Sequence, residues 1–187
     1  TSKEWELLHG ENCDLTRPAV RNRIKQDCHK QLLISAMLGP PCSSFSPARD
    51  RTAVIRTAAE PWGIAYGLMS AKDVERVKVG NACFRAAFDL IKYFESHNIP
   101  WILENPHASK CWYLPFLQKI ALLPHVESVV TDFCQHGTPW RKRTRLLCSR
   151  IHYLDLHRLQ KQCIGKHGMC SKTGKPHFQL TGSSPQG

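Results

Sequence analysis

The sequence lacks any apolar run near the roughly 20 residues that a membrane-spanning helix requires, so we expect no membrane partner. It also lacks a signal peptide ahead of its nine cysteines, and this odd number of widely spaced cysteines does not indicate a disulfide framework. Cysteines that stay reduced are typical of intracellular proteins. We therefore expect an intracellular rather than a secreted protein, with nucleus and cytoplasm both left open.

Acidic residues are also scarce. There are 15 Asp and Glu residues against 26 Lys and Arg residues, which gives a formal net charge of +11. An excess of this sign favours a polyanionic partner, so we expect DNA, with RNA not excluded and a merely basic protein as the alternative. The chain contains no internal repeat, and its 187 residues suit one domain. Its oligomeric state is left open.

Apolar periodicity and turn residues predict strands that alternate with helices. The predicted strands cover 32–38, 101–103, 126–133 and 145–148, and the predicted helices cover a basic stretch that ends near residue 30, 77–97 and 111–123. Residues 47–72 have the composition of a long, mobile, basic loop. This alternation is typical of a three-layer α/β fold with a mostly parallel sheet.

Three groups of reactive or charged residues lie next to predicted strands. Cys42 ends a Gly-Pro-Pro-Cys turn after the first strand, Glu104 follows the second strand, and a basic run at 141–145 precedes the last one. Catalytic groups gather at the carboxyl ends of strands in open α/β sheets, so Cys42 is the strongest candidate nucleophile. The alternatives are a buried structural cysteine at position 42 and a solvated turn at 141–145.

The combination of these groups is more specific than any one of them. Gly-Pro-Pro-Cys followed by Ser-Phe-Ser, Glu-Asn-Pro after a strand and Arg-x-Arg-x-Arg before a strand resemble three motifs of the DNA (cytosine-5) methyltransferase family, in the same order. The resemblance implies a Rossmann-like, S-adenosylmethionine-dependent methyltransferase core over residues 1–155. The composition of residues 156–187 predicts a polar, basic segment with little regular structure beyond one short helix. The implied reaction is methyl transfer to C5 of a DNA cytosine that is flipped out of the duplex or already single-stranded.

The resemblance also implies a role for each matching residue. Cys42 is the nucleophile that adds to C6 of cytosine and makes C5 reactive toward a methyl group. Glu104 interacts with N3 of the ring, and either Arg141 or Arg143 holds O2. The implied cofactor-binding residues are Asp14, Leu15 and Pro41, and the implied nucleic-acid-binding residues are Ser44, Ser46, Arg49 and Arg145. For Asp14, ordinary capping of a helix is an alternative to cofactor binding, and we give the two equal weight.

The chain departs from the family pattern because no G-x-G turn precedes Asp14. We therefore expect a core truncated at both ends, which leaves open whether it is a complete or active enzyme. The alternative is a non-catalytic nucleic-acid-binding module on the same scaffold. Near the end of the chain, Cys163, His167, Cys170 and His177 follow no standard zinc-binding spacing. We expect these four to be scattered surface residues and expect no metal site. A small zinc-dependent interaction domain that uses these cysteines and histidines is the alternative left open.

Overall fold

The computed structural model describes residues 10–179 of the chain. The strands are β1 (Ala36–Leu38), β2 (Trp101–Pro106), β3 (Val126–Asp132) and β4 (Arg143–Ser149). They form one open sheet in the order β1-β2-β4-β3, in which β1 and β2 are parallel and β4 is antiparallel to both of its neighbours. The expected α/β class is confirmed, and the sheet is mixed: β1, β2 and β3 run in one direction and β4 runs in the other.

The lengths of the connections explain the strand directions. A parallel connection needs about a dozen or more residues and usually contains a helix, and the long segment between β1 and β2 meets this requirement. Only residues 133–142 separate β3 from β4, so the chain turns back and β4 runs antiparallel between β2 and β3. As a result, the carboxyl ends of β2 and β3 both lie beside the start of β4.

The described residues contain the helices α1 (Pro18–His29), α2 (Ala71–Ser96), α3 (Pro115–Ile120) and α4 (Tyr153–Leu159). The helix predicted at 77–97 is confirmed as α2. It begins earlier than predicted because the Ser70 side chain accepts a hydrogen bond from the Asp73 N–H and caps the first turn. None of the helices in the described range is long and apolar enough to cross a membrane.

The main core lies between one face of the sheet and the helices α2 and α3. Its buried side chains include Phe84, Ile91, Trp101, Leu103 and Leu147. A smaller cluster, built on other residues of β4, packs against α4 on the opposite face. The sheet therefore carries helices on both faces, as the alternation of strands and helices predicts.

Several boundaries differ from the sequence-based expectation. The strand predicted at 32–38 is limited to β1, because only the last three of its residues pair with β2. The helix predicted at 111–123 is divided, because Pro115 lacks an N–H and starts α3 after a short 3-10 turn. Glu104 and Arg143 lie inside β2 and β4 rather than in adjoining loops, because the two strands pair beyond their apolar runs.

The segment 47–72, predicted as a mobile loop, is anchored in its middle. Ile55 and Arg56 are buried. The Arg56 guanidinium donates hydrogen bonds to the Pro61 carbonyl at 2.7 Å and to Asn81 Oδ1 of α2 at 2.8 Å. The prediction of a mobile loop is therefore wrong for this part, because one buried side chain ties the segment to α2.

The carboxylate of Glu95, near the end of α2, joins this helix to the sheet. It accepts hydrogen bonds from Trp101 Nε1 at 2.7 Å, Ser149 Oγ at 2.6 Å and Arg150 Nη1 at 2.9 Å, and His125 Nε2 lies 2.7 Å away. Burial by itself raises the pKa of this carboxyl, but the hydrogen bonds outweigh burial and lower the pKa to about 2. Ionised Glu95 is therefore a structural anchor.

Replacing Glu95 by Gln should lower the free energy of unfolding at neutral pH by about 2–3 kcal/mol, because the amide loses the charge-assisted hydrogen bonds. A carboxyl with a lowered pKa stabilises the folded state above its ordinary pKa of 4.5, and this contribution is lost as the pH falls toward 2. In urea unfolding, the difference between the unsubstituted protein and Glu95→Gln should shrink as the pH falls from about 5 to about 3. Glu75→Gln, at an exposed position of α2, is the control. Equal losses for the two variants would contradict the anchoring role.

Candidate functional site

Cys42 lies in a short loop after β1, which we name the Cys42 loop (39–46). The N–H of Phe45 donates to the carbonyl of Cys42 at 2.9 Å and closes a turn, and the N–H of Lys110 donates to the carbonyl of Phe45 at 2.9 Å. Phe45 is completely buried, whereas Cys42 is half-buried. The buried ring therefore pins the loop, and the turn leaves Cys42 partly accessible.

Glu104 of β2 lies directly beside the Cys42 loop. The parallel register of β1 and β2 places Gly39 next to Glu104. A Cβ at Gly39 would lie 3.8 Å from Glu104 Oε2, so glycine leaves the space in front of the carboxylate open. The side chain of Asn105 is completely buried and donates from Nδ2 to the carbonyl of Pro40 at 2.8 Å. This hydrogen bond holds the beginning of the loop against the end of β2.

The buried thiol of Cys111 lies within electrostatic reach of three predicted site residues. Burial is the main reason that its pKa is raised to about 12. A hydrogen bond with Ser109 and the charge of Arg145 act in the opposite direction, while charges on Cys42 and Glu104 raise the pKa further. Cys111 is therefore a packing residue, and Cys42 is the more accessible thiol in this neighbourhood.

Lys142 is the cation that the structure brings to Glu104. Its Nζ lies 3.0 Å from Glu104 Oε1, and the Glu104 side chain is only 15% exposed. Arg141 and Arg143 bind the completely buried carboxylate of Asp132 instead, at 3.3 Å and 3.0 Å. Successive residues of an extended chain point to opposite faces of the sheet, so the two arginines that the sequence left as alternatives both reach Asp132 while Lys142 faces Glu104.

Arg145 of β4 lies beside an aromatic ring. Its guanidinium is 4.9 Å from the ring centroid of Trp112, and its Nε donates to Ser128 Oγ at 2.8 Å. Arg145 and Trp112 line an open groove of about 660 Å³. A cation next to an aromatic face is an arrangement that binds bases and phosphates of nucleic acids.

The other residues predicted to bind nucleic acid have roles within the protein. Ser44 is buried, and its carbonyl and hydroxyl both accept hydrogen bonds from Arg56. Ser46 caps the 3-10 turn that follows the Cys42 loop, and Arg49 forms an ion pair with Asp73 of α2. Their polar groups therefore hold the Cys42 loop and the segment after it in place.

Arg56 is a positioning residue that the sequence did not reveal. Its Nε and Nη2 atoms donate to the carbonyl and the hydroxyl of Ser44, both at 3.1 Å, and its guanidinium lies 3.7 Å from the centroid of the Phe45 ring. Burial lowers its pKa to about 10, which leaves the side chain charged at neutral pH. No pattern marks it, since it is one of several arginines in a basic segment.

Two of the three residues predicted to bind S-adenosylmethionine make contacts within the protein, and the third is exposed. Asp14 Oδ1 accepts hydrogen bonds from the N–H and the hydroxyl of Thr16, at 2.9 Å and 2.8 Å, which is local capping. Leu15 packs against the main core, and Pro41 is exposed. These contacts do not fit a complete adenosine site, so no methyl-transfer step follows from the described residues.

The expectation that the C-terminal cysteines and histidines are scattered on the surface is wrong. Cys163 and Cys170 are buried, and their Sγ atoms converge with Cys134 Sγ and a ring nitrogen of His177, all within 4.8 Å of one another. His167 is exposed and lies outside this group. Spacing along the sequence missed the group because Cys134 comes from the turn after β3, far upstream of the other members.

Gly80 of α2 lies against the Cys42 loop, so a substitution at this position measures how closely the helix and the loop are packed. A Cβ at Gly80 would lie 2.3 Å from Ser44 Oγ and 3.1 Å from Arg56 Nη2. Gly80→Ala should therefore lower the free energy of unfolding by about 1–3 kcal/mol, although the same change inside an open helix normally stabilises. Gly67→Ala, where a Cβ would meet nothing within 4 Å, is the control in urea unfolding. Stabilisation by Gly80→Ala would contradict the close packing.

We define the thiol-acid site as Cys42, Glu104 and Lys142. It combines a partly accessible thiol on a pinned loop with a largely buried carboxylate that is paired with an ammonium group. Comparisons of the chain with protein-family models, with curated proteins and with solved structures find no match.

Proposed function

We propose that the thiol-acid site activates cytosine rings in DNA by covalent addition, the step that opens a cytosine-5 methyltransferase reaction. The observation that carries this proposal is the position of Cys42 in the loop after β1 and of Glu104 near the end of the neighbouring parallel strand β2, with Gly39 leaving the space before the carboxylate open. A lone cysteine would be a weak indicator. A thiol together with an acid provides the nucleophile and the proton donor that addition to a pyrimidine requires.

The proposed addition balances electrons and protons within the ring and the site. The Cys42 thiolate forms a bond to C6, the electrons of the C5–C6 double bond shift to C4–C5, and those of the C4–N3 double bond move to N3. The Lys142 ammonium, which donates a hydrogen bond to Glu104 Oε1, gives up a proton that the Glu104 carboxylate passes to N3. C5 then has enamine character and takes an electrophile.

A proton from water is the simplest electrophile for C5. After C5 is protonated, loss of the original C5 hydrogen restores the enamine, and departure of the thiolate with return of the N3 proton regenerates cytosine. The net result is exchange of the C5 hydrogen with water, which requires no other reactant. S-Adenosylmethionine would supply a methyl electrophile in the complete reaction that the resemblance implies.

DNA is the substrate class that this proposal favours. A net charge of +11 attracts a polyanion, and Arg145 beside Trp112 adds a cation and an aromatic face at an open groove. A cytosine inside a duplex has to leave the base stack before a thiol can reach C6. Single-stranded DNA should therefore react at least as readily as duplex DNA.

A non-catalytic nucleic-acid-binding module is the second candidate. The contacts of Asp14 and Leu15 within the chain favour it, because these two residues have local capping and packing roles that need no cofactor. Such a module would retain DNA in a salt-dependent manner without exchange of the C5 hydrogen.

Single-stranded DNA with tritium at C5 of cytosine should release tritium into water when the protein is added. Cys42→Ser should reduce the release to the rate without protein, because a serine hydroxyl is not ionised at neutral pH and does not add to C6. Cys83→Ser, which removes another half-buried thiol, should keep the full rate. Release by Cys42→Ser at the unsubstituted rate would overturn the nucleophile assignment, whereas salt-sensitive DNA retention without any release would favour the binding module.

Glu104→Gln should reduce tritium release by about 10²–10⁴-fold, because an amide does not deliver a proton to N3. Lys142→Met should cause a smaller reduction, since Glu104 remains and takes its proton from water. Lys119→Met, at an exposed position of α3, is the control for the loss of one positive charge. Equal rates for Lys142→Met and Lys119→Met would contradict a role for the ion pair.

A further inference from the structure

We propose that Cys134, Cys163, Cys170 and His177 bind one zinc ion that holds the C-terminal segment against the sheet. The ligand atoms of these four residues all lie within 4.8 Å of one another. Three thiolates and one imidazole are a common ligand set for structural zinc. This site is separate from the thiol-acid site and does not depend on the function proposed for it.

The distance between one sulfur and the imidazole nitrogen of the cluster agrees with tetrahedral coordination. Zn–S bonds of about 2.3 Å and a Zn–N bond of about 2.0–2.1 Å at tetrahedral angles place sulfur and nitrogen about 3.6 Å apart. Cys163 Sγ and His177 Nε2 are 3.6 Å apart. Four protein ligands fill a tetrahedron, so no position remains for a substrate, and the zinc would be structural rather than catalytic.

The C-terminal segment has almost no apolar core of its own. Within 160–179 the buried side chains are Cys163 and Cys170, which form a cluster with Cys134 alone. The large apolar side chain of Ile164 is 82% exposed. A segment of this kind is not held by apolar burial, and a metal ion supplies the folding free energy that burial does not.

Two tight turns bring the ligands of this segment together. In one, the N–H of Gly174 donates to the carbonyl of Cys170 at 2.8 Å. In the other, Gly168 has a φ of 78°, which is left-handed backbone. A Cβ at Gly165 would lie 2.0 Å from the carbonyl oxygen of Met169, so the chain passes itself at a distance that only glycine allows. These turns and this close approach therefore fold the backbone around the ligand residues of the cluster.

The sulfur atoms accept hydrogen bonds in the way that metal-bound thiolates do. Ser171 donates its backbone N–H and its hydroxyl to Cys163 Sγ at 3.4 Å and 3.5 Å, and Gln135 Nε2 donates to Cys134 Sγ at 3.5 Å. Lys172 Nζ donates to the carbonyl of Gln135 at 2.8 Å. This contact holds the residue next to Cys134, and outer hydrogen bonds of this kind orient metal ligands.

The cluster is connected to the sheet through the turn after β3. Asp132 Oδ2 accepts a hydrogen bond from the N–H of Cys163 at 2.7 Å. In the same turn, the N–H of Phe133 donates to the carbonyl of Lys142 at 3.1 Å. The hydrogen bond between Phe133 and Lys142 closes the turn 133–142. A zinc ion bound to Cys134 would in addition hold this turn to the C-terminal segment.

The full chain, produced with added zinc and purified without chelator, should contain one zinc per chain by inductively coupled plasma mass spectrometry. Cys163→Ser, Cys170→Ser and His177→Ala should lose most of this zinc. His167→Ala and Cys148→Ala remove the same residue types outside the cluster and should keep it. Purified protein without zinc, or unchanged zinc content in Cys163→Ser and Cys170→Ser, would overturn the assignment.

Thiol alkylation of the unsubstituted protein provides a test that does not depend on the folding of variants. Peptide mass spectrometry should show Cys134, Cys163 and Cys170 protected from iodoacetamide until a strong chelator is added, whereas Cys42 should react in both conditions. Replacement of zinc by Co²⁺ should produce the visible absorption of tetrahedral thiolate coordination. Equal alkylation of the three cysteines with and without chelator, or a disulfide between two of them, would overturn the zinc site.

Discussion

The hydrogen bond from Asn105 to the carbonyl of Pro40 is the interaction on which the candidate site depends. Pro40 and Pro41 have no N–H groups, so the backbone ladder between β1 and β2 cannot continue into the Cys42 loop. The buried amide of Asn105 replaces this ladder with a side-chain contact of 2.8 Å. Cys42 and the neighbouring end of β2 are thereby held together, although the loop itself is not part of the sheet.

The direction of β4 determines which basic side chain forms an ion pair with which acidic side chain. Because β4 returns between β2 and β3, its start lies beside the carboxyl ends of both strands. Lys142 reaches Glu104 on one face, while Arg143 reaches Asp132 on the other. The basic run therefore pairs with two acidic residues. Glu104 belongs to the thiol-acid site, and Asp132 supports the segment that carries the cysteine cluster.

The parts of the structure that depend on residues close together in the sequence could be predicted from the sequence. Apolar runs and helical periodicity identify the strands and α2, and the chain order places Cys42 in the loop after β1 and Glu104 near the end of the neighbouring strand β2. An apolar run indicates a strand but not its direction, so the antiparallel β4 and the pairing of Lys142 were missed. Arg56 and Cys134 were missed because their partners come from distant parts of the chain and no short spacing connects them.

Covalent addition of Cys42 to a cytosine-like ring is the most direct consequence of the thiol-acid site. A single-stranded oligonucleotide with 2-pyrimidinone in place of one cytosine presents a ring that accepts a thiol at C6 and needs no methyl donor to form the adduct. After incubation, denaturation and proteolysis, peptide mass spectrometry should locate the modified base on Cys42. An adduct on another cysteine, or no adduct under conditions in which the oligonucleotide is retained, would contradict the proposed activation of cytosine.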